Sequence, residues 1–182
     1  DLAKLSNQQL IKVLGNPNKW YRQTAVRLFG DRRDKSVIEP LQALIQKESG
    51  LLALNALWAL NLSGGLDEDF ATLALQHEDP YVRIWTTRLM CDNHQVSAPL
   101  ARQLAQLAGQ EPHVEVRSQL ACSARRLPLQ PSLAITRQLL THSQDASDIH
   151  LPLLLWWAVE SHVQANPAAV VDIFQDQSLW QL

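Results

Sequence analysis

The residues with the clearest chemical potential are Asp148 and His150, which lie two positions apart in the C-terminal part of the chain. A carboxylate beside an imidazole can orient the ring for acid–base chemistry or for binding a metal ion. Both functions need further partners, and a metal site needs three or four ligands, whereas Asp145 is the one other candidate within helical reach. We therefore expect a structural motif in which Asp148 starts a helix, His150 lies in its first turn and Trp156 packs nearby.

Three arginines, Arg22, Arg83 and Arg117, occupy the same position of a repeated pattern. In a stack of repeated helices this column places three guanidinium groups in a row, an arrangement that suits phosphodiesters or carboxylates. Alternatively, each guanidinium pairs with an acid at a helix start or with a carbonyl of its neighbour, and so ties repeats together. Because Asp79 and Glu111 lie close in sequence, we expect a structural ladder, with Arg83 bonded to carboxylate or carbonyl groups.

A second column of the same pattern contains Arg27, Trp58, Arg88 and Trp157. Tryptophan and arginine are favoured at the energetic centres of protein interfaces, so this column predicts an exposed face that binds a partner protein. The alternative is that most indoles fill gaps between helices.

Other catalytic or metal-binding motifs are not apparent in the sequence. It contains no serine–histidine–acid elbow, glycine-rich phosphate loop or paired-carboxylate arrangement. Cys91 and Cys122 lack the paired spacing of a zinc site or a disulfide framework, so we expect both to be small core residues. No catalytic, metal-binding or cofactor-binding residue is predicted. We expect the remaining histidines to lie at solvated helix ends: His77, His94, His113, His142 and His162.

The elements that carry these residues are predicted by a repeat. Five similar stretches begin 31, 30, 34 and 35 residues apart: Arg22–Phe29, Ala53–Leu60, Arg83–Met90, Arg117–Ala124 and Pro152–Val159. A period in this range indicates stacked helical hairpins. A second set of helices is predicted between them, at 34–48, 66–76, 97–109, 131–142 and 166–175. The sequence therefore predicts an all-α fold, an α-solenoid of about five antiparallel hairpins that forms a single repeat domain over residues 1–182.

Each motif helix should bury one face. The residues three and seven positions after the motif start share that face and are small or apolar, which predicts a seam against neighbouring helices. The run from Leu151 to Val159 is apolar all round, which predicts cover on more than one side. From Pro152 we expect this helix to begin near Asp148 or Ile149, with both tryptophans buried, so that replacing either with alanine costs about 3–5 kcal/mol.

Composition limits the partners. The formal charge is −2, from 16 basic and 18 acidic residues, which gives no overall attraction to nucleic acid or to an anionic membrane. The longest apolar run is far shorter than the roughly 20 residues that a membrane span needs. We predict no nucleic-acid partner and no membrane contact. The chain starts at Asp1, and residues 175–182 lack a polar capping structure, so we expect a fragment of a longer protein.

The segment Asp79-Pro-Tyr-Val-Arg83, with proline at a helix start, resembles the HEAT-like repeat family. Looser copies are Asn16-Pro-Asn-Lys-Trp-Tyr-Arg22 and Glu111-Pro-His-Val-Glu-Val-Arg117. The resemblance implies HEAT-like hairpins over nearly the whole chain.

A narrower resemblance rests above all on Asp148-Ile-His-Leu-Pro-Leu-Leu-Leu-Trp-Trp-Ala-Val-Glu160, together with the stretches after Trp20, Ala53 and Val114. These segments resemble the helical-repeat region of large bacterial membrane-bound dehydrogenases, in which a sugar-dehydrogenase-like propeller precedes the repeats and a c-type haem domain follows. The resemblance implies a periplasmic or other extracytoplasmic location. Haem attachment needs Cys-x-x-Cys-His, whereas Cys91-Asp-Asn-His94 supplies one sulfur, so no cofactor is expected in this segment.

We therefore predict a non-catalytic structural and protein-interaction module of a larger bacterial envelope dehydrogenase. Its partner would be a neighbouring domain of the same chain or another protein. The alternative is a nucleic-acid-binding protein that resembles the HEAT-like alkylpurine DNA glycosylases, with arginine and tryptophan in a groove. That use needs a surface rich in basic residues, whereas acids and bases balance here.

Overall fold

The computed structural model describes residues 1–175 and shows helices and turns, with no strand in this part of the chain. The all-α solenoid predicted from the repeat is confirmed. Contacts between Cα atoms divide the chain into two compact units, Asp1–Thr86 and Thr87–Leu182. The single domain over residues 1–182 stays a prediction. Of the expected cut end at 175–182, residues 176–182 lie outside the described residues.

Eleven α-helices are present in the described part of the chain, and three short 3-10 helices lie at Leu2–Lys4, Lys35–Val37 and Ser143–Ser147. The α-helices are α1 (Asn7–Val13), α2 (Lys19–Arg32), α3 (Ile38–Lys47), α4 (Gly50–Leu62), α5 (Glu68–Ala74), α6 (Pro80–Cys91), α7 (Ala98–Gln110), α8 (Val114–Ala124), α9 (Leu129–Leu139), α10 (Leu151–Val163) and α11 (Pro167–Ile173). Helices α2, α4, α6, α8 and α10 contain the five motif stretches, and the other helices from α3 onward are the predicted second set.

Helix starts follow the polar residues before them. Asn18, Asp67 and Ser97 each accept a hydrogen bond from a backbone N–H in the first turn of α2, α5 and α7. These bonds satisfy amides that have no partner within the helix. Two predicted starts were wrong: α3 is preceded by a 3-10 helix capped by Asp34, and α9 begins at Leu129, so that Pro131 lies in its first turn, where a missing N–H costs nothing.

The predicted seam is confirmed. The residues three positions after the motif start are all buried: Ala25, Ala56, Thr86, Leu120 and Leu155. Of the residues seven positions after the motif start, Met90 is half-buried and the other four are buried: Phe29, Leu60, Ala124 and Val159. Because residues four apart on a helix lie one above the other, these two positions lie on the same face of each motif helix.

In the first unit, α2 packs against α4, and α3 packs against α4 and α5. Its core includes Phe29, Leu41, Ile45, Leu57 and Leu60. The N-terminal helix α1 contacts α2.

In the second unit, α7 and α8 pack against α9, and α10 packs against α8, α9 and α11. Helices α9, α10 and α11 share an apolar cluster of Leu133, Val159, Val170 and Ile173. No helix among residues 1–175 is both long and apolar enough to span a membrane.

For α10, the predicted start near Asp148 or Ile149 and the predicted burial of both tryptophans were wrong. The helix begins at Leu151, and it buries Leu151, Leu155, Ala158 and Val159. Those residues follow helical spacing and form one stripe. Trp156 is 58% exposed and Trp157 is 37% exposed. They lie one and two residues past Leu155, so their side chains are rotated roughly 100° and 200° around the helix axis from Leu155, off the buried stripe.

Candidate interaction face

The arginines of the Arg22, Arg83 and Arg117 column bond to the loop that precedes their own helix. The Nη1 atom of Arg22 donates to the carbonyl oxygens of Asn16 at 2.7 Å and Pro17 at 2.9 Å. Arg83 repeats this geometry on the carbonyl oxygens of His77 at 2.6 Å and Glu78 at 3.0 Å. In both cases the side chain reaches back six and five residues, so it fixes the turn that leads into α2 or α6. Arg83 thus makes the carbonyl contacts expected of it.

Arg117 makes the same backward bond, to the carbonyl oxygen of Glu111 at 2.9 Å, and also binds an acid. Its Nε and Nη2 atoms donate to the two carboxylate oxygens of Asp145, at 2.6 Å and 2.5 Å. Both side chains are almost fully buried, at 3% and 6% exposure. This bidentate pair joins α8 to the 3-10 helix before α10, so here the column does tie two hairpins together.

Asp145 was missed by the sequence reasoning as a partner of Arg117. It was considered as a possible neighbour of His150, because that pair is close in sequence. The useful signal was its position in the loop one hairpin further along, about one repeat period from Arg117.

Two of the histidines expected at solvated helix ends have other roles. The Nε2 atom of His77 lies 2.9 Å from the carbonyl oxygen of Ile45, and its Nδ1 accepts the N–H of Asp79 at 3.0 Å. The Nε2 atom of His142 lies 2.7 Å from the carbonyl oxygen of Ala108. Carbonyls in the last turn of a helix have no partner within that helix. Each half-buried ring therefore links the end of one helix to a later loop, and the expectation of a solvated position was wrong for both.

Asp148 caps the start of α10. Its Oδ1 atom accepts the backbone N–H groups of His150 at 2.8 Å and Leu151 at 2.9 Å. The bonds from Leu151 and His150 hold the pKa of this carboxyl below its ordinary value of 3.8. His150 is exposed, and both residues line a cavity of about 240 Å³ beside Trp157. The Asp148 carboxylate is therefore occupied with backbone amides.

Of the predicted face, Arg27 and Trp58 belong to the first unit. Arg27 is exposed, and its Nε lies 4.0 Å from the Asp31 carboxylate on the next turn. Trp58 is half-buried and meets Trp85 edge to face, with ring centroids 4.9 Å apart. Such aromatic pairs stabilise packing, so Trp58 serves the helix interface of this unit.

Arg88 and Trp157 belong to the second unit, where they line one open cavity of about 550 Å³. The Cζ atom of Arg125 lies 5.6 Å from the centroid of a Trp157 ring, within the range of a cation–π contact. The other residues of this cavity are Gln119, Cys122, Arg126 and Leu154. The structure thus brings together two of the four predicted residues.

Arg125 and Arg126 are the functional candidates that the sequence reasoning missed. They follow the last residue of α8, eight and nine positions after the motif start at Arg117, and both are exposed. Arg126 donates to Asp92 at 3.2 Å. The motif stretch ends at Ala124. Extending it by two residues would have included both arginines and placed them beside the column of Arg88 and Trp157.

The cysteine in this cavity is not prepared for nucleophilic chemistry. Cys122 is exposed, so the expected core position was wrong for this residue, but partial burial raises the pKa of its thiol against the opposing charges of Arg126, Arg88 and Arg125. Burial also raises the pKa of Cys91, to about 11. A thiol is reactive as the thiolate, so both remain weak nucleophiles near neutral pH. Among residues 1–175, no three histidine, cysteine, aspartate or glutamate side chains cluster closely enough to hold a metal ion.

Trp156 lines a different, mainly apolar cavity of about 440 Å³. Its apolar walls include Leu139, Leu140, Leu155, Val159 and Phe174. One of the two indoles was expected to be buried against the C-terminal helix. Trp156 lines this cavity together with Phe174, at the end of that helix, but its ring is not buried.

Residues 7–74 match the family model for HEAT repeats. No curated protein and no solved structure matches the chain. The matched range begins at α1 and ends with α5, so the similarity to HEAT repeats covers the helices of the first unit up to Ala74.

Proposed function

We propose that this chain is a non-catalytic structural and protein-interaction module. The observation that carries the proposal is the open cavity around Trp157, where an exposed aromatic ring and three arginines lie on a framework of repeated helices. Repeat arrays offer extended surfaces to partners, and their fold specifies no chemistry. Tryptophan and arginine are the residues most often found at the energetic centres of interfaces.

The use of the polar side chains supports a structural role for the repeats. Arg22 and Arg83 bond to loop carbonyls, Arg117 pairs with Asp145, and Asp148 caps a helix. Each of these groups had a possible chemical role in the sequence. In the structure, their hydrogen-bonding capacity holds loops and helix starts in place.

The parent protein that we propose is a large bacterial envelope dehydrogenase, with the module between a propeller and a c-type haem domain. Support comes from the resemblance carried by residues 148–160, and a periplasmic location follows from the same resemblance. The test is the coding sequence on both sides of this segment. We expect a sugar-dehydrogenase-like propeller upstream and a Cys-x-x-Cys-His motif downstream, and a gene with neither would refute this parentage.

The nucleic-acid alternative makes an opposite prediction in solution. A DNA-binding groove gives affinity that falls steeply with salt, because phosphate contacts release counterions. Titrating a labelled DNA duplex into the protein at low and at physiological salt separates the two. We expect no salt-sensitive micromolar binding, and such binding, lost in Arg88→Glu or Arg125→Glu, would support the glycosylase-like alternative.

A further inference from the structure

We propose that the cavity around Trp157 binds an acidic segment of a partner protein, with carboxylates on the arginines and an apolar side chain against the indole. The inference rests on the proposed function of the chain as a protein-interaction module, and it specifies the chemistry of the partner. We call the surface formed by Arg88, Arg125, Arg126, Leu154 and Trp157 the arginine–tryptophan face.

Charge is the first argument. Three guanidinium groups line the cavity, and Asp92 bonds to Arg126 at its edge. Arg125 lies over the Trp157 ring, and this contact limits the freedom of its side chain. A planar guanidinium presents two parallel donors that fit a carboxylate, and less entropy is lost on binding when it is already held.

The apolar part of the face lies beside these charges. Trp157 and Leu154 border the cavity and also line the neighbouring cavity of about 240 Å³. Trp157 is 37% exposed, so part of the indole is available next to the guanidinium groups. The combination suits a segment in which an aliphatic or aromatic side chain has acids on one side.

The neighbouring cavity argues for protein and against nucleic acid. It is lined by Glu115 and Asp148, with His150 at the same site. The surface is therefore positive on one side of Trp157 and negative on the other. A nucleic-acid strand carries phosphates along its whole length and would meet both acids, whereas a protein segment can change its charge within a few residues. Like charges brought together at an interface are unfavourable and exclude wrong partners.

The test is an NMR titration of the 15N-labelled protein with defined probes. The probe is an acetylated and amidated Glu-Glu-Leu-Ser-Ser peptide, and the matched probes are Lys-Lys-Leu-Ser-Ser and a thymidylate pentanucleotide. We expect the acidic peptide to shift the Trp157 indole Nε1–H and the Arg125 Nε–H signals, with the shifts weakened by added salt. Inorganic phosphate separates simple anion binding from recognition of the peptide.

Charge reversal supplies the matched variants. Arg125→Glu should weaken binding of the acidic peptide by about tenfold or more, and Arg88→Glu is the second variant should the first disturb the fold. Arg102→Glu in α7 is the control, because Arg102 is exposed but lies outside the face. We expect it to bind the peptide like the wild type, and backbone amide spectra check that each variant is folded.

The inference is overturned when the acidic peptide leaves the Trp157 and Arg125 signals unmoved. It is also overturned when the pentanucleotide, phosphate alone or the basic peptide binds equally well, or when Arg102→Glu weakens binding as much as Arg125→Glu. The proposed function is tested separately by the flanking gene sequence and the DNA titration, so its failure is distinguishable from failure of this face.

Discussion

The bidentate pair between Arg117 and Asp145 should dominate the stability of the second unit. Replacing Arg117 with alanine removes the two donors of a carboxylate that is only 6% exposed, and it leaves the carbonyl of Glu111 without this guanidinium bond. Removing one partner of a buried ion pair commonly costs about 3–5 kcal/mol, because the other charge stays buried. We expect a loss of that size for Arg117→Ala.

The single and double variants together measure the coupling. Asp145→Ala should cost somewhat less, because Arg117 retains its bond to the carbonyl of Glu111. The double variant leaves no unpaired buried charge, so its cost should fall below the sum of the two singles by about 2–3 kcal/mol. Arg22→Ala is the matched control from the same column. Its half-buried side chain donates to two carbonyl oxygens, so we expect a loss of about 1–2 kcal/mol.

Urea unfolding followed by circular dichroism gives the free energies, and amide hydrogen exchange shows where the loss occurs. We expect Arg117→Ala to lower protection in α8 and α10 while leaving α2 and α4 nearly unchanged. Equal costs for Arg117→Ala and Arg22→Ala would refute the reasoning. Strict additivity of Arg117→Ala and Asp145→Ala would refute it as well.

Two further predictions concern α10. Asp148→Ala should lower the melting temperature at about pH 5 to 7, and the difference from the wild type should shrink as the pH falls below 3.8. The reason is that a carboxyl with a lowered pKa stabilises the fold only while it is ionised. Asp148→Asn is the control that keeps an acceptor, and a difference that persists unchanged at low pH contradicts the capping role. Trp156→Ala should cost less than about 2 kcal/mol, whereas Leu151→Ala, at a fully buried position, should cost about 2–5 kcal/mol in the same unfolding assay. The reverse order would show that Trp156 is a core residue.

The seam of the motif helices could be predicted because helical geometry alone determines it. Ala25, Phe29, Ala56 and Leu60 share a face whenever their stretches are helical. Burial of that face then follows from its apolar character. The same reasoning failed for Trp156 and Trp157, because the apolar run in α10 offers no contrast between faces. Only the position of the neighbouring helices decides which apolar residues of such a run are covered.

The polar ties could be predicted where they are local. Asp148 accepts amides two and three residues away, so sequence spacing was sufficient. For Arg83 the bond to a carbonyl was expected, but its place in the loop before its own helix was not. Asp145 lies 28 residues from Arg117, and the two meet because hairpins stack. For the cavity around Trp157, Arg88 and Trp157 were predicted but Arg125 was missed. Arg125 approaches the ring only through the packing of α8 against α10, which sequence spacing does not show.

Photo-crosslinking within the native cells is the most direct test of the interaction claim. The photoreactive residue p-benzoylphenylalanine replaces Cys122, which is exposed and lines the cavity, in one variant and Arg102 in the control. The account predicts a discrete protein adduct from position 122, with an acidic contact peptide identified by mass spectrometry, that is lost on adding Arg125→Glu and is absent from position 102. Adducts with nucleic acid, or equal protein adducts from both positions, would contradict it.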